Sequence, residues 1–373
     1  MKTAYLDLQA QNQPLQAEFQ QALAQVLQSG AFIGGRFVQQ FEQDWAAYTQ
    51  ASHCIGCGNG LDALLLSLMA LDIGAGDEVI VPSHTYIATW LPVTRLGATL
   101  IPVEPEPGSL HLAAHNIAPH ITPKTKAIIA VHLYGMPCNM DAICALAKQH
   151  GIAVIEDAAQ AHGAKWQDKP IARPIGCHGN LVAWSFYPGK NLGALGDAGA
   201  ITSNNAQLAG KIRALGNYGS QRKYYNDYLG INSRLDPLQA AFLSIKLRHL
   251  DAWNAQRQRL AAIYLEQLTG IPDLVLPPIP SDAHPVWHAF VVQTTQRDAL
   301  QQHLAQQGIE TLIHYPLAPH QQKAYAQSPV ASLQLPQAER LARQVLSLPI
   351  DPMLAPDAVQ DICTHIQNFF QAA

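Results

Sequence analysis

The chain reads as an α/β protein, with a mixed, mostly parallel sheet in a large N-terminal part and a smaller α+β C-terminal domain. Three observations predict this. Short apolar runs alternate with stretches of helical period through the first part of the chain. Residues suited to binding follow the ends of those runs, where ligands of open α/β sheets lie. A length of 373 residues exceeds one simple core and predicts two domains, 1–245 and 246–373.

Leu15 to Ser29 has helical periodicity and ends at Gly30. After a loop with two adjacent glycines, Val38 to Tyr48 reads as an amphipathic helix with Phe41 and Trp45 on one face, as core. A strand from His53 breaks at glycines, and the helix Leu61 to Leu71 starts at once. Val79 to Pro82 is a strand, as are Ala127 to Leu133 and Ile152 to Asp157, with a helix over Asp141 to His150. Leu181 to Phe186 is a buried strand followed by the turn Pro188-Gly189, Lys190, three glycines and a further strand over Ala200 to Thr202. Asp236 as cap and Pro237 in the first turn open a long helical region to about Leu265. A Pro-rich loop from Leu276 then leads to a strand at Ala289 to Gln293, a helix at Arg297 to Gln307 and a strand at Ile309 to His314.

Composition excludes several classes. Net charge is −4 with no long charged run, so neither nucleic acid nor an anionic membrane is an expected partner. No apolar run reaches a spanning length, and the N-terminus lacks a signal-peptide core, so a cytoplasmic protein is expected. The 6 cysteines are scattered; Cys54 and Cys57 form a CxxC without a second pair, and reduced buried thiols are expected. The 16 histidines show no metal-ligand spacing, so no metal is expected.

Three features carry chemistry. Lys190 stands on a glycine-lined loop at a strand end. A buried lysine loses its charge readily, and the neutral amine attacks aldehydes, so it can hold pyridoxal 5'-phosphate (PLP) as a Schiff base. A surface lysine in a glycine turn is the competing reading. The turn Gly58-Asn59-Gly60 opens a helix, and helix N-termini suit phosphate. Gly58-x-Gly60-x-x-Ala63 also fits a relaxed dinucleotide fingerprint, but no acid closes the next strand, and a single phosphate cradle is favoured. Asp157 ends a strand as either a functional carboxylate or a helix cap.

The chain resembles sugar-nucleotide aminotransferases of the DegT/StrS type, almost end to end. The motifs are Gly-Asn-Gly-Leu-Asp-Ala-Leu at 58–64, Asp-Glu-Val-Ile-Val-Pro-Ser-His-Thr-Tyr at 77–86 and Glu-Asp-Ala-Ala-Gln-Ala-His-Gly at 156–163. Ser-Phe-Tyr-Pro-Gly-Lys-Asn-Leu at 185–192, Gly-Ile-Asn-Ser-Arg-Leu-Asp at 230–236 and His-Tyr-Pro at 314–316 complete them. The resemblance implies the aspartate-aminotransferase-like fold (fold type I) of PLP enzymes. It implies that Lys190 is the Schiff-base lysine, Asp157 the partner of the pyridine nitrogen, and Gln160 the partner of the phenolic oxygen. It places Tyr86 against the ring, with a core aromatic as the competing reading, and Asn59, Gly60, Leu61 and Ser185 at the phosphate. His162 is either near the ring or a packing residue.

The resemblance further implies a homodimer with shared active sites, Asn232 reaching the partner's cofactor phosphate. The loop from Tyr218 to Tyr225 would cover the nucleotide, with Arg222, Lys223 and Tyr224 suited to a diphosphate and sugar, unless it is a solvated basic loop. Tyr187, His314 and His320 join the substrate set. Where the family often has Gly-Glu-Gly-Gly, this chain has Gly196-Asp-Ala-Gly199, a departure compatible with activity. The implied reaction takes the amino group of L-glutamate, leaving 2-oxoglutarate, and delivers it to C3 of a dTDP-linked 3-keto-6-deoxyhexose. Amination at C4 or of a UDP-linked sugar is the runner-up. A non-catalytic regulator of the same fold and an NAD-dependent oxidoreductase are the rivals from other classes.

Overall fold

A computed structural model describes residues 3–106, 108–168, 171–176 and 178–372. Its centre is a seven-stranded sheet. In chain order the strands are β1 (His53–Cys57), β2 (Glu78–Pro82), β3 (Thr99–Val103), β4 (Thr125–Val131), β5 (Ala153–Asp157), β6 (Leu181–Ser185) and β7 (Gly199–Ser203). Their spatial order is β1-β7-β6-β5-β4-β2-β3. β3, β2, β4, β5 and β6 run parallel, while β7 is antiparallel to both β6 and β1. The interior strands are nearly continuous hydrophobic runs because helices cover both faces; Ile128, Ile129 and Ala130 of β4 are all fully buried.

The helices of the first part include α1 (Gln16–Ser29), α2 (Arg36–Thr49), α3 (Gly60–Ala70) and α4 (Met140–His150). Phe41 and Trp45 of α2 are fully buried and meet Phe186 and Trp184 edge-on, so the loop after β6 is anchored by aromatic packing. Gly30, in the left-handed region at φ 63°, ends α1 as the sequence predicts.

Some boundaries differ. The strand expected to reach Leu133 stops at Val131, because Leu133–Gly135 turns as a short 3-10 segment. The long helical region is two helices, Pro237–Leu247 and Leu250–Leu268, broken at Arg248 and His249. The expected domain boundary at 245/246 thus falls inside the first of them. One buried apolar cluster also runs from Trp45 and Ile128 through Tyr264 and Phe290 to Ile366. Asp236 stands at the cap position of Pro237–Leu247 but its side chain makes no capping bond. Ile309 to His314 is not a strand; it holds only single bridges, Ile309 to Thr3 and Leu312 to Ser347. The antiparallel pair of the C-terminal part is Phe290–Gln293 with Val345–Leu348. Among the described residues no helix is long and apolar enough to cross a membrane, and no cluster of three or more metal-ligating side chains occurs. Cys54, Cys57, Cys138 and Cys363 are buried free thiols and Cys144 is a half-buried one; Cys177 lies outside the described residues.

Candidate active site

Beyond the ends of β1, β4, β5 and β6 lies a cavity of about 790 Å³. Asn59, Gly60, Leu61, Tyr86, Asp157, Gln160, Ser185, Tyr187, Lys190 and His314 line it, so most of the expected site residues converge. Arg222, Tyr224, Asn232 and His320 do not line it within one chain.

Lys190 is placed by the loop that follows β6. Its amide donates to the Tyr187 carbonyl at 2.8 Å, closing a turn, and Phe186 and Ala198 are joined at 2.8 Å across the loop's base. Burial pushes the Lys190 amine down to about 8, against the opposing pull of Asp157. Lys190 is half-buried and lines the cavity, which is not the position of a solvated surface lysine. Asp157 ends β5, the strand beside β6. Its Oδ2 accepts from Thr89 Oγ1 at 2.9 Å and its Oδ1 from the Ala159 amide at 3.3 Å. Burial raises its pKa, while Thr89, the Ala159 amide and the Lys190 charge pull the other way. Turns rather than a helix follow Asp157, so it is not a helix cap.

The turn after β1 forms a cradle. Asn59 caps α3, its Oδ1 accepting the Asp62 amide at 2.8 Å. Its Nδ2 donates to Asp62 Oδ2 at 3.1 Å, so the Asn59 side chain is engaged within its own turn. The amides of Gly60 and Leu61 belong to the first helical turn, which has no intrahelical acceptors. Backbone approaches side chain closely here: a Cβ on Gly60 would lie 2.5 Å from the Ser185 Cβ, and one on Gly199 would lie 2.5 Å from the Asn59 carbonyl. Glycine is the residue that lets β6 and β7 close on the cradle.

Tyr86 is 53% exposed, which rules out the core-aromatic reading, and its ring lies 5.0 Å from that of Tyr315. Gln160 accepts the Tyr134 amide at 2.5 Å through Oε1 and donates from Nε2 to the Tyr315 hydroxyl at 3.1 Å. His314 Nδ1 pairs with Ser347 Oγ at 2.8 Å, and burial lowers its pKa to about 4. His162 is a packing residue, fully buried among Trp45, Trp184 and Phe186. His320 is buried as well, with Nε2 3.3 Å from Glu339 Oε1.

Sequence reasoning missed Tyr5, Arg257, His288 and Glu310, which also line the cavity. Arg257 had a signal: it sits on the apolar stripe of Leu250–Leu268 with Trp253, Leu260 and Tyr264. Tyr5 had none, because pairing of Thr3 with Gly308 and Glu310 brings it there from the far end of the chain.

The sequence pattern of an aminotransferase family, DegT/DnrJ/EryC1/StrS, matches residues 13–367. The chain belongs to that family. This aminotransferase is 49% identical, over 97% of its length and 94% of the relative's, to the dTDP-3-amino-3,4,6-trideoxy-alpha-D-glucose transaminase of Streptomyces venezuelae. It is 48% identical to the dTDP-3-amino-3,6-dideoxy-alpha-D-galactopyranose transaminase of Aneurinibacillus thermoaerophilus, covering 98% of this chain and 99% of the relative. The solved structure of S. venezuelae DesV in complex with a ketimine intermediate superposes with a TM-score of 0.96, at 47% identity and 99% coverage of both chains. The fold is therefore fold type I, and the cofactor of the DegT aminotransferases is PLP. The cavity fits it: a half-buried amine of lowered pKa, a buried carboxylate on the next strand, and a cradle that a Cβ would fill.

Proposed function

We propose that this aminotransferase moves the amino group of L-glutamate to C3 of a dTDP-linked 3-keto-6-deoxyhexose, giving a dTDP-3-amino-3,6-dideoxyhexose. The observation that carries the reading is Lys190 and Asp157 on adjacent strand ends facing one cavity, in a chain nearly half identical to transaminases named for C3-aminated dTDP sugars. The amides of Gly60 and Leu61, the capped turn at Asn59 and Ser185 would hold the phosphate. Tyr86 would lie against the ring, Asp157 would face its nitrogen, and Gln160, in exchange for its Tyr315 bond, would meet the phenolic oxygen. When bound, PLP takes up the electrons released at the donor Cα.

The protein's own steps are proton movements. Lys190 Nζ takes the proton from the donor Cα in one half and gives a proton to the sugar C3 in the other. It must be uncharged for the first and charged for the second, and a pKa near 8 populates both forms. Leu64, Val131 and Leu133 give the cavity an apolar stretch of wall. Tyr187 and His314 would contact the sugar.

The dimer is part of the proposal. Asn232 is exposed and lies outside its own chain's cavity, as a residue serving the partner's phosphate would. The hairpin around it exposes Tyr218, Tyr224, Tyr225 and Leu229, the last at 96%, an apolar surface that a monomer rarely leaves open. Arg222 lies over the Tyr225 ring at 4.0 Å and Lys223 over Tyr224 at 5.1 Å, so cations and aromatic faces for a nucleoside diphosphate are paired in advance. A cytoplasmic location suits a soluble nucleotide-sugar substrate.

The test offers dTDP-3-keto and dTDP-4-keto 6-deoxyhexoses separately with glutamate and locates the new amine by NMR. Amine at C3 is expected. Amine only at C4, or activity only with UDP sugars, overturns the substrate.

A further inference from the structure

The loop that carries Asn232 is tied to the phosphate cradle of its own chain. Ser233 is buried, and its hydroxyl stands between two parts of that cradle. Its Oγ accepts the Gly58 amide at 2.9 Å and donates to Asp62 Oδ2 at 2.8 Å. A hydroxyl has one proton, so with that proton on Asp62 and the Gly58 amide on a lone pair its orientation is fixed. The same Asp62 oxygen receives Asn59 Nδ2 at 3.1 Å, and the Asp62 amide is held by Asn59 Oδ1 at 2.8 Å. Gly58, Asn59 and Asp62 thus share one anchor, supplied from 171 residues further along the chain than Asp62. Packing is as close as the bonding: a Cβ on Gly58 would lie 3.2 Å from Ser233 Oγ and 3.4 Å from Asp62 Oδ2.

The far side of the loop is held too. The Ser233 amide donates to the Gly216 carbonyl at 2.9 Å, and the Ile231 amide to that of Leu215 at 2.8 Å. Arg234 Nη1 donates to Asn217 Oδ1 at 2.9 Å, and Asn217 forms a backbone bridge with Asn232. Residues 231–234 are therefore clamped between the end of the helix Ala206–Leu215 and the cradle. Asn232 is the exposed member of the four. Successive side chains of extended backbone point to opposite faces, so Ser233 turned onto its own cradle leaves Asn232 turned away from it.

We propose that Asp62 and Ser233 are positioning residues for the cofactor phosphate, and that they act on both sites of the dimer. In its own chain the Ser233 hydroxyl sets the turn whose amides face the phosphate. In the partner's site it acts through Asn232, one residue away. This rests on the shared sites proposed above. A disturbance at residue 233 then reaches two phosphates, one in each subunit's site.

The experiment titrates the cofactor-free dimer with PLP and with pyridoxal, which lacks the phosphate. Ser233→Ala removes one oxygen, and Asp62→Ala breaks the same link from its other end. Each should weaken PLP binding about 3- to 10-fold, the loss of one hydrogen bond, and leave pyridoxal binding at its wild-type value. The double variant should lose less than the product of the two single losses, because the link is already broken. Equal losses for PLP and pyridoxal would mark a general structural role and overturn the proposal, as would wild-type PLP binding in both single variants.

Heterodimers resolve the reach. When a wild-type chain is paired with a chain carrying Lys190→Ala and Ser233→Ala, attachment at Lys190 occurs in the wild-type chain, beside the altered chain's Asn232. When a Ser233→Ala chain is paired with a Lys190→Ala chain, the altered cradle itself holds the cofactor. PLP attachment, followed by absorbance, should weaken in both pairings relative to a wild-type chain with a Lys190→Ala chain. Loss confined to one pairing, or absent from both, overturns the proposal. Failure of the shared-site reading shows separately, as Asn232→Ala weakening PLP in its own chain's site rather than in the partner's.

Discussion

Gly60→Ala tests the cradle directly. The added Cβ would meet the Ser185 Cβ at 2.5 Å, Ser185 Oγ at 3.1 Å and Ser185 Cα at 3.2 Å, where ordinary contact begins at 3.4 Å. The shortest contact must open by nearly an ångström between the start of α3 and the end of β6. Overpacking of this kind costs up to about 3 kcal/mol, and helix propensity returns at most about 1, so a net loss of about 2 kcal/mol is expected. The same displacement moves the Gly60 and Leu61 amides, so PLP affinity should fall about tenfold or more. Urea unfolding of the cofactor-free protein at fixed concentration reads the first effect, and PLP titration by absorbance the second. The partner substitution Ser185→Gly removes the two atoms nearest the new methyl that are not backbone. The double variant should therefore be more stable than the sum of the singles, by about 1 kcal/mol or more. An unchanged midpoint in Gly60→Ala, or strict additivity in the pair, would refute the steric argument.

Other outcomes follow from the same geometry. Asp157→Asn should retain PLP but lose about 10²–10³-fold in turnover, since an amide cannot support the charge at the ring nitrogen; wild-type turnover would leave Asp157 a purely structural carboxylate. Attachment of PLP to the cofactor-free chain requires uncharged Lys190, so its rate should climb about tenfold per pH unit well below pH 8 and level off above it; a flat profile from pH 6 to 9, or borohydride trapping of PLP on a peptide other than the one holding Lys190, contradicts the assignment. Chains carrying Lys190→Ala mixed with chains carrying Asn232→Ala should regain partial activity from one intact site per heterodimer, provided each parent is inactive; no recovery in verified heterodimers counts against shared sites.

Much of the fold was legible because its signals are local. The glycine break after His53, the two carboxylates ending β5 and the Pro-Gly turn before Lys190 each carry their own punctuation, and all three lie where expected. The misreadings have tertiary causes. Ile309 to His314 has strand-like composition but meets other segments only at single bridges. The break at Arg248–His249 interrupts an uninterrupted helical pattern, since neither residue is a helix breaker. The side-chain partners of Gln160 and Asn59, which are Tyr134, Tyr315 and Asp62, are likewise beyond what the sequence shows, although both residues line the cavity as expected. Arg257 was overlooked as one more charge on a long helix, although its place in the stripe of Trp253 and Tyr264 marks it as buried.

The hydroxyl of Thr89 has one proton, and it gives that proton to Asp157 Oδ2. Thr85 Oγ1 lies 2.9 Å on its other side, and geometry alone leaves the donor of that pair open. The carboxylate decides it: with Thr89 committed to Asp157, Thr85 must donate to Thr89. Two buried hydroxyls thus point the same way, a row of dipoles with its positive end on the acid. Protonating Asp157 would free the row to reverse. The orientation of the Thr85 hydrogen, visible by neutron diffraction, is therefore a readout of the ionisation of Asp157 taken two residues away from it.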